Sequence, residues 1–297
     1  MPIEIECPSG LVGKVRGLKG RDGRFLTDQT IARQGTMIDH ILGACWEETV
    51  EPGVYSNGAI RPDGFPNWGK VLQGDRTYAL IQVRIAGAGT TEYGFKVQCS
   101  NRPACGSRFE WEIDLDDLPV KDLCDESREK LRAGKNEFSV VMPGTEERRA
   151  LPTSEDAIEL ARMEGRRPPR PKFEIVPDTG KLVHFRLPTG ETEQRTERIR
   201  RQNRRDRRKT KTDKSNNLIQ AIMARVIGVD GIEAGKHNEG LIEFFEDADL
   251  PDLSRLIARF DEHDCGVETV IEIECPDCGE LQEIELPFDK NFFFPER

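Results

Sequence analysis

The sequence predicts an α+β fold, with helices packed against two cysteine-bearing β-hairpins and extended arms running out from the body. Three observations predict it. Two stretches, Tyr93 to Leu115 and Val270 to Leu286, alternate apolar and polar residues with period two on either side of a cysteine pair. Several others place apolar residues three and four apart, the helical spacing. Polar runs rich in Gly, Pro or Arg separate them and carry no apolar stripe. The 297 residues are enough for about two domains.

The elements follow in chain order. Pro8 to Arg24 carries Gly10, Gly13, Gly17, Gly20 and Gly23, with Lys14, Arg16, Lys19, Arg21 and Arg24 between them. Glycine weakens both helix and strand, so an extended arm or loop is expected there. The glycine spacing is too short for a phosphate-binding loop, and Val15 stands where that loop needs Ser or Thr. Met37, Ile38, Ile41, Leu42 and Cys45 mark an amphipathic helix within Gly35 to Val50, in which Cys45 reads as a small core residue. A second helix is expected over Asp75 to Ala86, after a Pro/Gly-rich connection from Glu51 to Trp68. Tyr93, Phe95 and Val97 then alternate up to Cys99, and Phe109, Trp111, Ile113 and Leu115 alternate after Cys105, which gives a hairpin with the cysteines at its turn.

Short strands are expected at Glu137 to Met142, Lys172 to Pro177 and Lys181 to Leu187, with a helix starting at Thr153-Ser-Glu-Asp156 and ended by Gly165. Amphipathic helices follow at Asn216 to Ile227, at Gly240 to Phe245 and after Asp249-Leu-Pro251. The chain closes with a second strand, cysteine pair and strand, which repeats the design of the first hairpin. Five segments result: a Gly/basic N-terminal arm at 1–34, a helical part with the first hairpin at 35–124, a β-rich insertion with linkers at 125–190, an Arg-rich segment at 191–214, and a helical part with the second hairpin and a Phe-rich tail at 215–297.

Charge is segregated. The net charge is −10, yet residues 195–214 hold 11 basic and 3 acidic residues. An acidic chain is a poor general binder of nucleic acid. The basic run, which includes Arg200, Arg201, Arg204 and Arg205, reads as a solvated segment, as a dock for an acidic protein surface, or as a phosphate contact. It has no interleaved aromatics for base stacking. No stretch reaches the ~18 apolar residues of a membrane span, and the start lacks the basic and apolar regions of a secretory signal, so membrane insertion and export are not expected.

Eight cysteines without an export signal are expected to be reduced. Cys99 and Cys105 form a C-x5-C-G, and Cys275 and Cys278 form a C-x2-C-G. Two thiolates on a tight turn supply half of a tetrahedral site, and the following glycine lets backbone amides face the sulfurs. The two pairs together would make a four-cysteine, zinc-ribbon-like unit around a structural zinc. Four reduced thiols on paired hairpins, or a disulfide or redox pair, are the alternatives. Glu262-His263-Asp264-Cys265 reads as a helix cap and turn, and the four histidines are too scattered to give a nucleophile–base–acid set. No catalysis and no small-molecule substrate are expected.

The run Val267 to Asp289, with Cys275-Pro-Asp-Cys278-Gly and the ending Asn291-Phe-Phe-Phe-Pro295, resembles the T-even-type baseplate family of contractile-tailed phages. So do Gly240 to Phe260, Phe185 to Gly190, and Ser9 to Gly20 followed by Ala44-Cys-Trp46. The C-x5-C pair departs from the pattern. The resemblance implies a structural or assembly protein at or near the baseplate hub, in the virion tail, assembled in the host cytoplasm, with other phage tail proteins as partners. The closing Phe288, Phe292, Phe293 and Phe294 are too dense for a free end. They either fold back onto the chain's own core or enter a partner's pocket. The alternative function is a zinc-ribbon nucleic-acid-binding or regulatory protein that uses 195–214 on phosphate.

Overall fold

A computed structural model describes residues 2–102, 104–142, 147–150, 154–164, 173–176, 181–196, 217–235, 238–288 and 290–293. It is mixed helix and small antiparallel sheet. The chain forms two compact units, one of Met1–Asn136, Leu187–Lys214 and Asp261–Arg297, the other of Glu137–Arg186 and Ser215–Phe260.

The first unit opens with a three-stranded antiparallel sheet of Ile3–Glu6, Val12–Val15 and Trp46–Glu51, in that order. Pro8 to Arg24 is therefore not an extended arm: it supplies the central strand, with Leu11 and Val15 fully buried. Two of its glycines, Gly13 and Gly17, serve close approach. A Cβ on Gly13 would lie 2.0 Å from the Trp46 ring. One of its basic residues is turned inward. Arg16 is buried and pairs with Asp22 at 2.8 Å, while its guanidinium also donates to the Ala44 carbonyl. The helix expected within Gly35 to Val50 is Met37–Cys45, and the chain passes directly into Trp46–Glu51 because Val12–Val15 offers that segment a strand partner.

Gln73–Ala88 is the central helix of this unit, ended by Gly89 in the left-handed region at φ +70°. It is buried on several sides and carries charge inward. Asp75 accepts from the Ser9 amide at 3.0 Å and from the Ser9 and Tyr55 hydroxyls. Arg76 pairs with Asp39 and with Glu193 at 3.0 Å, and the Gln194 amide donates to Asp39 at 2.6 Å. Residues 190–196 are helical and lack an apolar stripe, so these polar contacts fasten that helix in place of hydrophobic packing. The two hairpins, Glu92–Gln98 with Arg108–Asp114 and Val270–Glu274 with Leu281–Glu285, turn their apolar faces into one core. Tyr93, Phe95, Val97, Ile273, Leu286 and Phe292 pack there with Ile81 of the central helix.

The second unit holds a three-stranded sheet in the order Val226–Val229, Leu182–Phe185, Phe138–Val141. Phe138, Val183, Phe185 and Val229 are buried, and the Phe185 ring stacks on Phe260 of the Leu250–His263 helix at 4.3 Å between centroids. Helices Asn217–Arg225 and Glu239–Glu246 add Ile219, Ile222, Leu241 and Phe245 to its buried residues. Glu147–Ala150 pairs with Phe173–Val176, and Glu155–Met163 is helical between them.

Candidate metal centre

The site begins with two turns of matching design. In the first hairpin the Cys99 amide donates to the Ser107 carbonyl at 2.9 Å, and Gly106 takes φ +65°. In the second the Cys275 amide donates to the Glu280 carbonyl at 2.9 Å, and Gly279 takes φ +72°. Each glycine follows the second cysteine of its pair, in a conformation that other residues adopt at a cost. The three extra residues of the first turn are absorbed by a local loop in which the Cys105 and Gly106 amides both donate to the Asn101 carbonyl.

The hairpins meet tip to tip. Gln282 accepts from the Ser100 amide at 2.7 Å through its side-chain oxygen, next to Cys99. Cys99 Sγ lies 3.7 Å from Cys278 Sγ, Cys105 Sγ lies 3.9 Å from Cys275 Sγ, and all four sulfurs fall within 4.8 Å of one another. Four sulfurs set about 2.3 Å from one central ion, the ordinary zinc–thiolate distance, would stand about 3.8 Å apart. The cluster therefore has the size of a four-thiolate metal site. All eight cysteines are free thiols.

The sulfurs are not equivalent. Cys99 and Cys275 are buried, Cys105 is half-buried and Cys278 is exposed. The hydrogen bond with the Ser107 hydroxyl, helped by the Asp277 and Cys278 amides, holds the Cys275 thiol down to about 6, in favour of the thiolate a metal needs. Cys278 receives the Glu280 amide, which lowers it, but desolvation and the neighbouring thiols push it up to about 12. Burial raises Cys99. Four protein sulfurs fill a tetrahedron and leave no position for water or substrate, so the arrangement is suited to holding structure and not to metal-assisted hydrolysis.

Other predicted site residues fall differently. Phe292 is fully buried in the chain's own core, edge-on to Tyr93 at 5.0 Å, the position expected where the tail folds back onto the chain. Phe293 is partly buried against the same cluster. Phe294, Arg200, Arg201, Arg204 and Arg205 lie outside the described residues. The Glu262-His263-Asp264-Cys265 stretch ends the Leu250–His263 helix, with the Cys265 amide bonded to the Asp264 carboxylate at 2.9 Å. Sequence reasoning missed Ser107 and Gln282, although Ser107 follows Cys105 by the same two residues that separate Glu280 from Cys278. It also missed a chain of hydrogen-bonding groups across the second unit's sheet. Ser139 Oγ lies 2.7 Å from His184 Nδ1, and His184 Nε2 lies 2.9 Å from Asp230 Oδ1. These residues belong to three adjacent strands or their ends, and they latch the sheet on its exposed face.

Among the described residues, no helix is long and apolar enough to cross a membrane. No curated protein and no solved structure matches the chain. The family model of the T4 bacteriophage base plate protein does match, over residues 21–294, which takes in both hairpins and all four clustered cysteines. The chain belongs to the T4 bacteriophage base plate protein family.

Proposed function

We propose that this protein is a structural or assembly component of the contractile tail baseplate, at or near the hub, and that a zinc ion held by Cys99, Cys105, Cys275 and Cys278 fixes its first unit. It works through contacts with other tail proteins and catalyses no reaction. Membership of the base plate family supports the location in the virion tail. The observation that carries the metal reading is the convergence of four sulfurs from two cysteine pairs with 169 residues between Cys105 and Cys275. Four thiolates in a tetrahedron suit zinc or an iron–sulfur centre, and zinc brings no redox chemistry. Closing so long a loop costs little more than closing a short one, since the cost grows as about (3/2)RT ln n. A structural zinc contributes on the order of 10 kcal/mol, enough to dominate that cost. The zinc-ribbon-like unit would then be the joint between the early and late parts of the chain. Reduced thiols fit assembly in the host cytoplasm.

Two measurements test this reading. Elemental analysis of the protein purified without added metal is expected to give one zinc per chain, and no zinc would overturn the metal assignment. Mass spectrometry of purified tails, with cross-linking to locate neighbours, is expected to find the protein or its footprint beside hub components. Cross-links confined to the baseplate periphery would overturn the hub position.

A further inference from the structure

We infer that Ser107 is the residue that positions the metal centre, its hydroxyl serving the sulfurs of both hairpins at once; this rests on the zinc reading above. Ser107 Oγ lies 3.3 Å from Cys105 Sγ and 3.4 Å from Cys275 Sγ, one sulfur from each cysteine pair. The matching turns explain why a side chain is needed there. Glu280 and Ser107 occupy the same place in their hairpins, each giving its carbonyl to the amide of the first cysteine of its pair. Glu280 also gives its own amide to Cys278, and the Asn101 amide serves Cys99, while Asp277 and Cys278 amides serve Cys275. Cys105 sits on the stretched C-x5-C loop, and its own amide is spent on the Asn101 carbonyl. Its sulfur lies within hydrogen-bond reach of the Ser107 hydroxyl at 3.3 Å and of Cys275 Sγ at 3.9 Å.

Four thiolates around a divalent ion carry a net charge of −2, and donors to sulfur offset that charge and fix the orientation of the ligands. With both cysteines as thiols, Cys105 Sγ donates to the Ser107 hydroxyl, which has one proton of its own to give toward Cys275. With the thiolates on a metal the hydroxyl becomes the donor to one sulfur at a time, and its position between them couples the two hairpins at the sulfurs themselves. The Ser107 carbonyl accepts from the Cys99 amide, which fixes its backbone beside the cluster. Ser107 binds no metal itself. It is a positioning residue that acts through Cys105 and Cys275.

The test uses the full-length chain and compares wild type, Ser107→Ala and Ser107→Thr. Zinc affinity is measured by competition with a chromophoric chelator, and the sulfur–metal charge-transfer bands are read after cobalt substitution. Loss of a group that orients ligands typically costs 10–100-fold in metal affinity. Ser107→Ala is expected to bind one equivalent of zinc with an affinity at least about 10-fold lower and with a shifted cobalt charge-transfer band. Ser107→Thr, which keeps the hydroxyl, is expected to restore both. Zinc-free wild type and Ser107→Ala are expected to melt together, which separates a role at the metal from a general loss of fold. Equal affinities and identical cobalt spectra in wild type and Ser107→Ala would overturn the role of Ser107 while leaving the metal centre standing. A wild-type chain that binds no zinc in the competition would overturn the metal centre and the role of Ser107 together.

Discussion

Cys99 and Cys278 hold their sulfurs 3.7 Å apart although 179 positions separate them in the chain. Cys99 is buried at the end of an early strand, and Cys278 is exposed on a late turn. On the proposed zinc reading, this pairing would make the metal a stabiliser whose effect can be titrated. At zinc concentrations 100-fold above the dissociation constant, the wild-type chain is expected to gain about 2.7 kcal/mol over the chelated protein, from mass action alone. Cys278→Ser removes one ligand at an exposed position without opening a core cavity, and it is expected to gain far less from the same zinc. Denaturation with and without chelator checks this, and a chelator effect of equal size in both proteins would count against the four-sulfur site.

The aromatic tail gives a second prediction. Phe292 is fully buried and meets Tyr93, Phe288 and Phe293 edge-on, with centroids 5.0, 5.0 and 5.1 Å away. Phe292→Ala in the isolated protein is expected to cost about 3–5 kcal/mol in denaturant unfolding, the ordinary range for a buried phenylalanine. A residue reserved for a partner would leave the isolated protein's stability unchanged.

The N-terminal sheet gives a third. Gly13 faces Trp46 so closely that an added Cβ would come within 2.0 Å of the ring and 2.6 Å of the Glu48 carbonyl. Gly13→Ala must push the Trp46 ring or part the two strands, and overpacking of this kind costs about 1–3 kcal/mol. The indole also bonds to the Thr49 hydroxyl at 3.0 Å, so the Trp46 emission is expected to change together with stability. Unchanged emission and stability would mean that the strand is not packed there.

Much of the fold and of the site could be read in the sequence wherever one periodicity was unbroken. Tyr93, Phe95 and Val97 alternate cleanly, so the first hairpin and its cysteines were predicted in place. The strand Val12–Val15 was hidden because its glycines spoil the alternation, and the reason for Gly13 is a tryptophan 33 positions away. The end of helix Met37–Cys45 could be placed only within Gly35 to Val50, because it is set by a strand partner and not by a local stop signal. Within the site, ligand spacing pointed to the four cysteines, but nothing in local sequence distinguishes Ser107 from other turn serines. Only the folded hairpins bring its hydroxyl between two sulfurs. Buried charges such as Asp75 were invisible for the same reason, since their partners come from Ser9 and Tyr55.

That buried carboxyl carries the last prediction. Asp75 is fully buried, and desolvation raises its pKa above the ordinary 3.8 even though Ser9 and Tyr55 hydrogen bonds pull the other way. Below about pH 3.8 the carboxyl is protonated in both the folded and unfolded chain and carries no charge penalty. As pH rises past that value the unfolded chain releases its proton first, so the folded state loses stability until the pH has passed the raised folded pKa, and the loss then levels off. Asp75→Asn keeps an acceptor for the Ser9 amide and cannot ionise. The stability of wild type minus that of Asp75→Asn is therefore expected to fall as pH rises past 3.8 and to level off once the raised folded pKa has been passed, with both proteins measured in chelator so that the thiol cluster contributes equally. Asp75→Ala is expected to be destabilised across the whole range, because it leaves buried donors on Ser9 and Tyr55 unpaired at about 1–3 kcal/mol each. A difference between wild type and Asp75→Asn that stays flat with pH, or rises with it, would show that Asp75 does not carry a desolvation penalty in the folded chain.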